Sequence, residues 1–170
     1  FTSGASSLPK GVELTFSNIN YSCVNWSNVY DFKESDIYLN ILPLHHISGL
    51  SIFFRSLYAN CHLIIERYKK ENILDLISSN NITCLSIVPK ILYDLKDDDN
   101  AVSTIKNIRF LLVGGDSISE SIFNFLHSNN INAYISYGLT ETSSGISGYW
   151  INDVQNFKFG YIGTPHNQTK

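Results

Sequence analysis

Short apolar runs recur along this chain, and between successive runs lies enough sequence for one helix. The runs are 37–42, closed by Pro43, then 61–66 (CHLIIE), 83–88, 108–113 (IRFLLV) and 131–137 (INAYISY). Each is apolar at consecutive rather than alternate positions, as a strand buried on both faces must be. The intervening segments read as helices. A helix is predicted over 46–58. Another over 70–79 puts Ile73, Leu76 and Ile77 on one face. Pro89 suits the first turn of a short helix ending near Lys96. Ser117, with Glu120 three residues on, reads as a capping box. At the beginning, 11–16 (GVELTF) reads as a strand, and Ser17 as the cap of a helix to Val29 with Ile19, Cys23, Trp26 and Tyr30 at helical spacing. A last strand is predicted over 147–151. This alternation predicts an α/β fold, a layered and mostly parallel sheet with helices on both faces. Ligands of such sheets bind beyond the carboxyl ends of the strands, so chemistry is sought just after each strand.

The length of 170 residues suits one domain, and 44% hydrophobic with 16% charged residues suits a globular one. A formal charge of −3 with no Lys/Arg stripe argues against nucleic acid or an anionic membrane as main partner. No apolar run is long enough to span a bilayer. The chain holds 21 Ile, 18 Asn and no Met, so Phe1 is not an initiator, and the bias toward Ile and Asn breeds accidental motifs. Asn25-Trp-Ser, Asn81-Ile-Thr and Asn167-Gln-Thr fit the glycosylation pattern and are read as chance. Cys23, Cys61 and Cys84 form neither a zinc pattern nor a disulfide framework; they read as small core residues in a reducing compartment. Asp97-Asp98-Asp99 reads as a solvated loop.

Four segments carry candidate chemistry. In Thr2-Ser3-Gly4-Ala5-Ser6-Ser7-Leu8-Pro9-Lys10-Gly11-Val12, small residues let backbone N–H groups turn toward phosphate oxygens, and Lys10 adds positive charge. This is no Walker P-loop, because Pro9 stands where glycine is needed and Gly11 replaces the Ser/Thr. The bland reading is a flexible surface turn. Leu42-Pro-Leu-His45-His46-Ile-Ser-Gly-Leu50 has adjacent histidines that make a poor metal pair; His46, at a helix start, can line a pocket or be satisfied locally. Gly114-Gly115-Asp116 ends a strand and permits close approach of a flat nucleobase, although many parallel strands end in glycine. Ser136-Tyr137-Gly138-Leu139-Thr140-Glu141 also follows a strand. Its carboxylate is a hard oxygen ligand for magnesium, its threonine a donor to phosphate, its tyrosine a face for a purine. The bland reading there is a loop with a solvated glutamate.

Taken in order, these segments resemble the adenylate-forming superfamily of acyl-CoA synthetases, peptide-synthetase adenylation domains and luciferases. Thr2, Ser3, Gly4, Pro9, Lys10, Gly11 and Val12 match its phosphate loop, while Ala5, Ser6 and Ser7 depart from Thr, Thr and Gly. Tyr137, Gly138, Thr140 and Glu141 match its Tyr-Gly-x-Thr-Glu motif. Gly114-Gly115-Asp116 resembles its adenine-side loop, and Gly160-Tyr-Ile-Gly163-Thr-Pro165 its downstream Gly-Ser-x-Gly-x-Pro. Within the superfamily, residues 42–50 look most like o-succinylbenzoate–CoA ligases of menaquinone or phylloquinone synthesis, with His45 replacing an aromatic residue.

The resemblance implies a cytoplasmic enzyme that uses ATP, Mg2+ and coenzyme A to join a small carboxylic acid to the CoA thiol through an acyl adenylate. It implies that Thr2 to Lys10 hold the β- and γ-phosphates, that Gly114, Gly115, Asp116 and Tyr137 frame adenine, and that Ser136, Gly138 and Leu139 belong to the same nucleotide site. It gives the catalytic roles to Thr140 at the α-phosphate, Glu141 at magnesium and His46 at the acyl pocket. Other fatty-acyl or aryl-CoA ligases share much of the pattern, and a non-catalytic nucleotide-binding remnant is the rival of a different class. The family's leading segment, its downstream Thr-Gly-Asp motif and its small catalytic-lysine domain have no counterpart here. The expectation is therefore a partial adenylation domain spanning 1–170, an internal piece of a longer ligase with little complete turnover of its own.

Overall fold

In the computed structural model, which describes residues 10–167, the first regular element is set by a cap. The Thr15 hydroxyl accepts the Asn18 N–H at 3.1 Å, and the Asn18 side-chain oxygen accepts the Thr15 N–H at 2.9 Å. This reciprocal box starts α1 (Phe16–Val29). It corrects two expectations. Residues 11–15 form no strand despite alternating Val12, Leu14 and Phe16, and Ser17 lies inside the helix rather than capping it.

The remaining elements alternate as expected: β1 (Ile37–Asn40), α2 (Ile47–Ala59), β2 (His62–Ile65), α3 (Ile73–Ser79), β3 (Cys84–Ile87), α4 (Pro89–Leu95), α5 (Ala101–Lys106), β4 (Phe110–Val113), α6 (Glu120–Ser128), β5 (Ala133–Leu139), β6 (Ser144–Trp150) and β7 (Thr164–Pro165). Ser119 rather than Ser117 caps α6, accepting the Ile122 N–H at 3.3 Å. The Ser117 N–H donates to the Asp116 carboxylate at 2.7 Å, and α6 begins only after Ser119. The sequence reading missed α5, which follows the acidic loop, and the two-residue β7. It also started β6 three residues late.

The seven strands form one sheet in the order β2-β1-β3-β4-β5-β6-β7. The first five run parallel; β6 returns antiparallel to β5, and β7 antiparallel to β6. Because side chains alternate across a strand, each central strand feeds two cores. Leu39, Leu85, Leu111, Val113 and Ala133 face a cluster closed by α3 to α6, including Ile77, Leu92, Ile105, Ile122 and Leu126. Tyr38, Cys84, Phe110, Leu112 and Tyr134 face the other side, under Trp26 of α1 and Ile52 of α2. Burying each large side chain contributes roughly 2 kcal/mol. Cys23 and Cys84 are buried free thiols and Cys61 is half-buried, as read from the sequence. Asn25 is buried in α1, which agrees with reading its glycosylation pattern as chance.

At the N-terminal ends of the strands, Asp36, Thr83 and Arg109 lock β1, β3 and β4 together. The Asp36 carboxylate accepts from the Thr83 hydroxyl at 2.7 Å, from Arg109 Nε at 3.1 Å, and from a second guanidinium nitrogen. Burial opposes its charge, but the Arg109 hydrogen bonds, with those of the Lys33 N–H and Thr83, hold its carboxyl below the usual range.

A second buried titratable group, a histidine, also weakens the fold in acid. His166, 4% exposed, places Nε2 3.1 Å from the Tyr134 hydroxyl and packs edge-on to Trp26 at 4.9 Å. Burial, then the positive charge of Arg55, lowers its pKa to about 4. An unfolded histidine titrates near 6.5. Between those values the unfolded chain binds a proton that the folded chain refuses. The stabilisation is complete above pH 6.5 and falls away toward pH 4, by about 3 kcal/mol in all. Melting temperature followed against pH in the full gene product should show this loss, and His166→Leu should flatten it.

Candidate functional site: a cleft at the carboxyl ends of the strands

The connection after β1 leads to α2 on one face of the sheet, whereas the connection after β3 leads to α4 on the other. Diverging connections leave a crevice between adjacent strand ends, the usual ligand position in an open α/β sheet. Here it is a cleft of about 760 Å³. Leu42, His46, Ile47 and Ser48 line it after β1, Ser86 to Val88 at β3, Gly114 and Gly115 after β4, and Ser136 with Gly138 to Glu141 at β5. Lys10 lines it as well.

The cleft therefore brings together Lys10, His46, Gly114, Gly115, Ser136, Gly138, Leu139, Thr140 and Glu141, which come from all four candidate segments. Two residues named beside them stand off its wall. Tyr137 is 41% exposed between Ser136 and Gly138, and Asp116 is exposed with its carboxylate bound to the Ser117 N–H. Thr2, Ser3, Gly4, Ala5, Ser6 and Ser7 lie outside the described residues.

The Thr140–Glu141 turn is built by close backbone packing. β5 and β6 slip register between Tyr137 and Gly138, so Gly138 lies against the strand opposite. A Cβ there would sit 2.1 Å from the Ser144 carbonyl oxygen, which explains glycine at this position. The turn ends in a short 3-10 helix, Thr140–Thr142. Glu141 is exposed at the rim and makes no hydrogen bond or ion pair among the described residues. Among those residues no group of three or more His, Cys, Asp or Glu could cage a metal. One free carboxylate beside a hydroxyl fits magnesium, which takes one or two carboxylates and completes its shell with phosphates and water.

The sequence reading missed a buried cation. Arg55 of α2 is 3% exposed, yet it lines the cleft. Its Nη1 donates to the Tyr38 hydroxyl at 3.1 Å, its Nη2 to the Ser51 hydroxyl at 2.7 Å and its Nε to the Ser51 carbonyl at 3.2 Å. The guanidinium lies 4.7 Å over the Trp26 ring, and Tyr38 is braced in turn by Ser86 at 2.6 Å. No carboxylate pairs with Arg55 among the described residues. A buried charge without a counterion is costly, so a cation placed this way is poised for an anionic ligand. The available sequence signal was Ser51 four residues ahead of Arg55 on the sheet-facing side of α2, a polar pair where an apolar stripe belongs.

A mostly parallel sheet with glycine-bordered strand ends, and a cleft lined by Lys10, Glu141 and the buried Arg55, defines an α/β protein with its candidate site at the carboxyl ends of the strands. The family model for AMP-binding enzyme matches residues 1–170, and the chain belongs to that family. It is 31% identical over 166 residues to the 2-succinylbenzoate–CoA ligase of Bacillus cereus (strain Q1), covering 97% of this chain and 34% of that protein. The Bacillus subtilis (strain 168) ligase of the same name is 33% identical over 147 residues, covering 86% and 30%. Among solved structures, O-succinylbenzoate coenzyme A synthetase from Bacillus subtilis in complex with ATP and magnesium ion superposes with a TM-score of 0.87 at 31% identity, over 98% of this chain and 34% of that one. The chain thus spans about a third of the length of the curated relatives it matches.

Proposed function

We propose that this chain is the nucleotide- and acid-binding part of an ATP-dependent acid–CoA ligase whose acid is a dicarboxylate of the 2-succinylbenzoate kind. One observation carries the substrate class: Arg55 is a buried cation with no carboxylate partner among the described residues, on the same cleft as Glu141. An acid with a second carboxylate supplies the missing counterion. A fatty-acyl chain would leave that charge against hydrocarbon. The named relatives are ligases of such a dicarboxylate, which supports the same reading.

In this reading an oxygen of the reacting carboxylate attacks the α-phosphorus of ATP, and pyrophosphate departs with the bonding pair. The CoA sulfur, as thiolate, then attacks the acyl carbon, and AMP leaves. Magnesium, when bound, offsets charge on the phosphate oxygens. Glu141 holds it, Thr140 donates to the α-phosphate, Lys10 neutralises the outer phosphates, and Gly114 and Gly115 let adenine approach the sheet. His46 borders the acid. These groups act by positioning and fixed charge, which is what in-line phosphoryl chemistry requires. The thioester step is assigned to a longer ligase of which this chain would be a part; the relatives' threefold greater length supports that assignment. Free thiols in the core support a reducing, cytoplasmic setting.

Pyrophosphate exchange by the full gene product tests the reading. Exchange with 2-succinylbenzoate should exceed that with benzoate by about 100-fold in kcat/KM. Exchange driven best by a long-chain fatty acid would overturn the substrate class. ATP binding without exchange on any acid would favour a nucleotide-binding module.

A further inference from the structure

We propose that Ser22 is a positioning residue for the turn that carries Glu141: from α1 it holds Thr140–Ser144 in the strained shape that presents the carboxylate to the cleft. This rests on the reading of Glu141 as a magnesium ligand.

The strain is in the backbone. Ser143 has φ +56° and Ser144 φ +103°, two successive non-glycine residues in a region that side chains disfavour. Such a conformation persists only where its surroundings over-determine it. Part of the restraint is local. The Thr142 hydroxyl accepts the Leu139 N–H at 2.9 Å, with the Leu139 and Ser144 carbonyls at 2.9 and 2.8 Å, and the Ser143 N–H donates to the Thr140 carbonyl at 3.1 Å. These bonds close the turn upon itself without fixing it against the rest of the molecule.

Ser22 supplies that fixing. Its hydroxyl donates to the Ser143 carbonyl at 2.7 Å, across 121 residues of chain. Among the described residues it is the side chain that reaches the turn by hydrogen bond from outside the β5–β6 hairpin. Trp26, one helical turn further along α1, backs the same hairpin: a Cβ on Gly145 would lie 2.5 Å from its ring. The capping box that starts α1 follows Lys10 by only five residues, and Lys10 and Glu141 line one cleft. α1 therefore connects the two ends of the phosphate side, and Ser22 is its tie to the glutamate end.

The experiment uses the full gene product as wild type, Ser22→Ala and Ser22→Thr. Nucleotide binding is followed by calorimetry at fixed ATP while magnesium is varied, and amide hydrogen exchange is read over residues 140–145. Loss of one hydrogen bond should raise the half-saturating magnesium about fivefold in Ser22→Ala and speed exchange in the turn. Ser22→Thr, which keeps the hydroxyl, should restore both. A Ser22→Ala protein that melts earlier yet keeps the wild-type magnesium dependence would overturn the proposal, as would failure of Ser22→Thr to rescue. If wild-type nucleotide binding itself ignores magnesium, the Glu141 reading falls, and this role with it.

Discussion

Replacing Arg55 with methionine should lower kcat/KM for 2-succinylbenzoate by roughly 150-fold while leaving the protein at least as stable as before. Losing one partner of a desolvated charge pair costs about 3 kcal/mol, which is that factor. The stability expectation has the opposite sense because Arg55 has no carboxylate partner among the described residues. An apolar side chain of similar volume in place of a buried, uncompensated charge is neutral or stabilising. Benzoate, which lacks the second carboxylate, should lose little, and the KM for ATP should not move. Steady-state kinetics with both acids, together with a thermal melt, separates this outcome from general damage. Equal losses on the two acids would mean that Arg55 braces the fold through Tyr38 and Trp26 and takes no part in choosing the acid.

Glu141→Gln is the second large effect. Glutamine keeps the shape and removes the charge, so under the proposed role of Glu141 magnesium would lose its protein carboxylate. Adenylate formation should drop roughly 10²- to 10³-fold, the scale of losing one group that stabilises transition-state charge. Because Glu141 is exposed and has no partner among the described residues, the melt should hardly change. Pyrophosphate exchange measured across magnesium concentrations should show the half-maximal point moving upward. An unmoved magnesium profile at wild-type rates would remove Glu141 from the mechanism.

Much of this site could be read from residue order alone, because parallel strands declare themselves by unbroken apolar runs and their carboxyl ends are where ligands bind. Leu111 to Val113 followed by two glycines marks a strand end in the sequence itself, whereas β5 runs on through Gly138 to Leu139, two residues past the end read from the apolar run. Competition between neighbouring polar residues defeated the finer boundaries. Thr15 and Asn18 satisfy one another and turn 11–16 away from a strand, and of two nearby serines it is Ser119 whose hydroxyl meets the Ile122 N–H and caps α6. The buried cation was hidden for a different reason. An arginine on a helix ordinarily faces water, and only the packing of α2 against β1 and α1 shows Arg55 resting on Tyr38 and Trp26. The Ser22–Ser143 bond joins residues 121 apart and leaves no trace in local pattern.

A crystal structure of the full gene product with ATP and magnesium tests the central claim most directly. The account predicts one magnesium within about 2.1 Å of a Glu141 oxygen, the α-phosphate beside Thr140, and adenine against Gly114 and Gly115. Nucleotide density elsewhere, with Glu141 and Thr140 left in solvent, would contradict it.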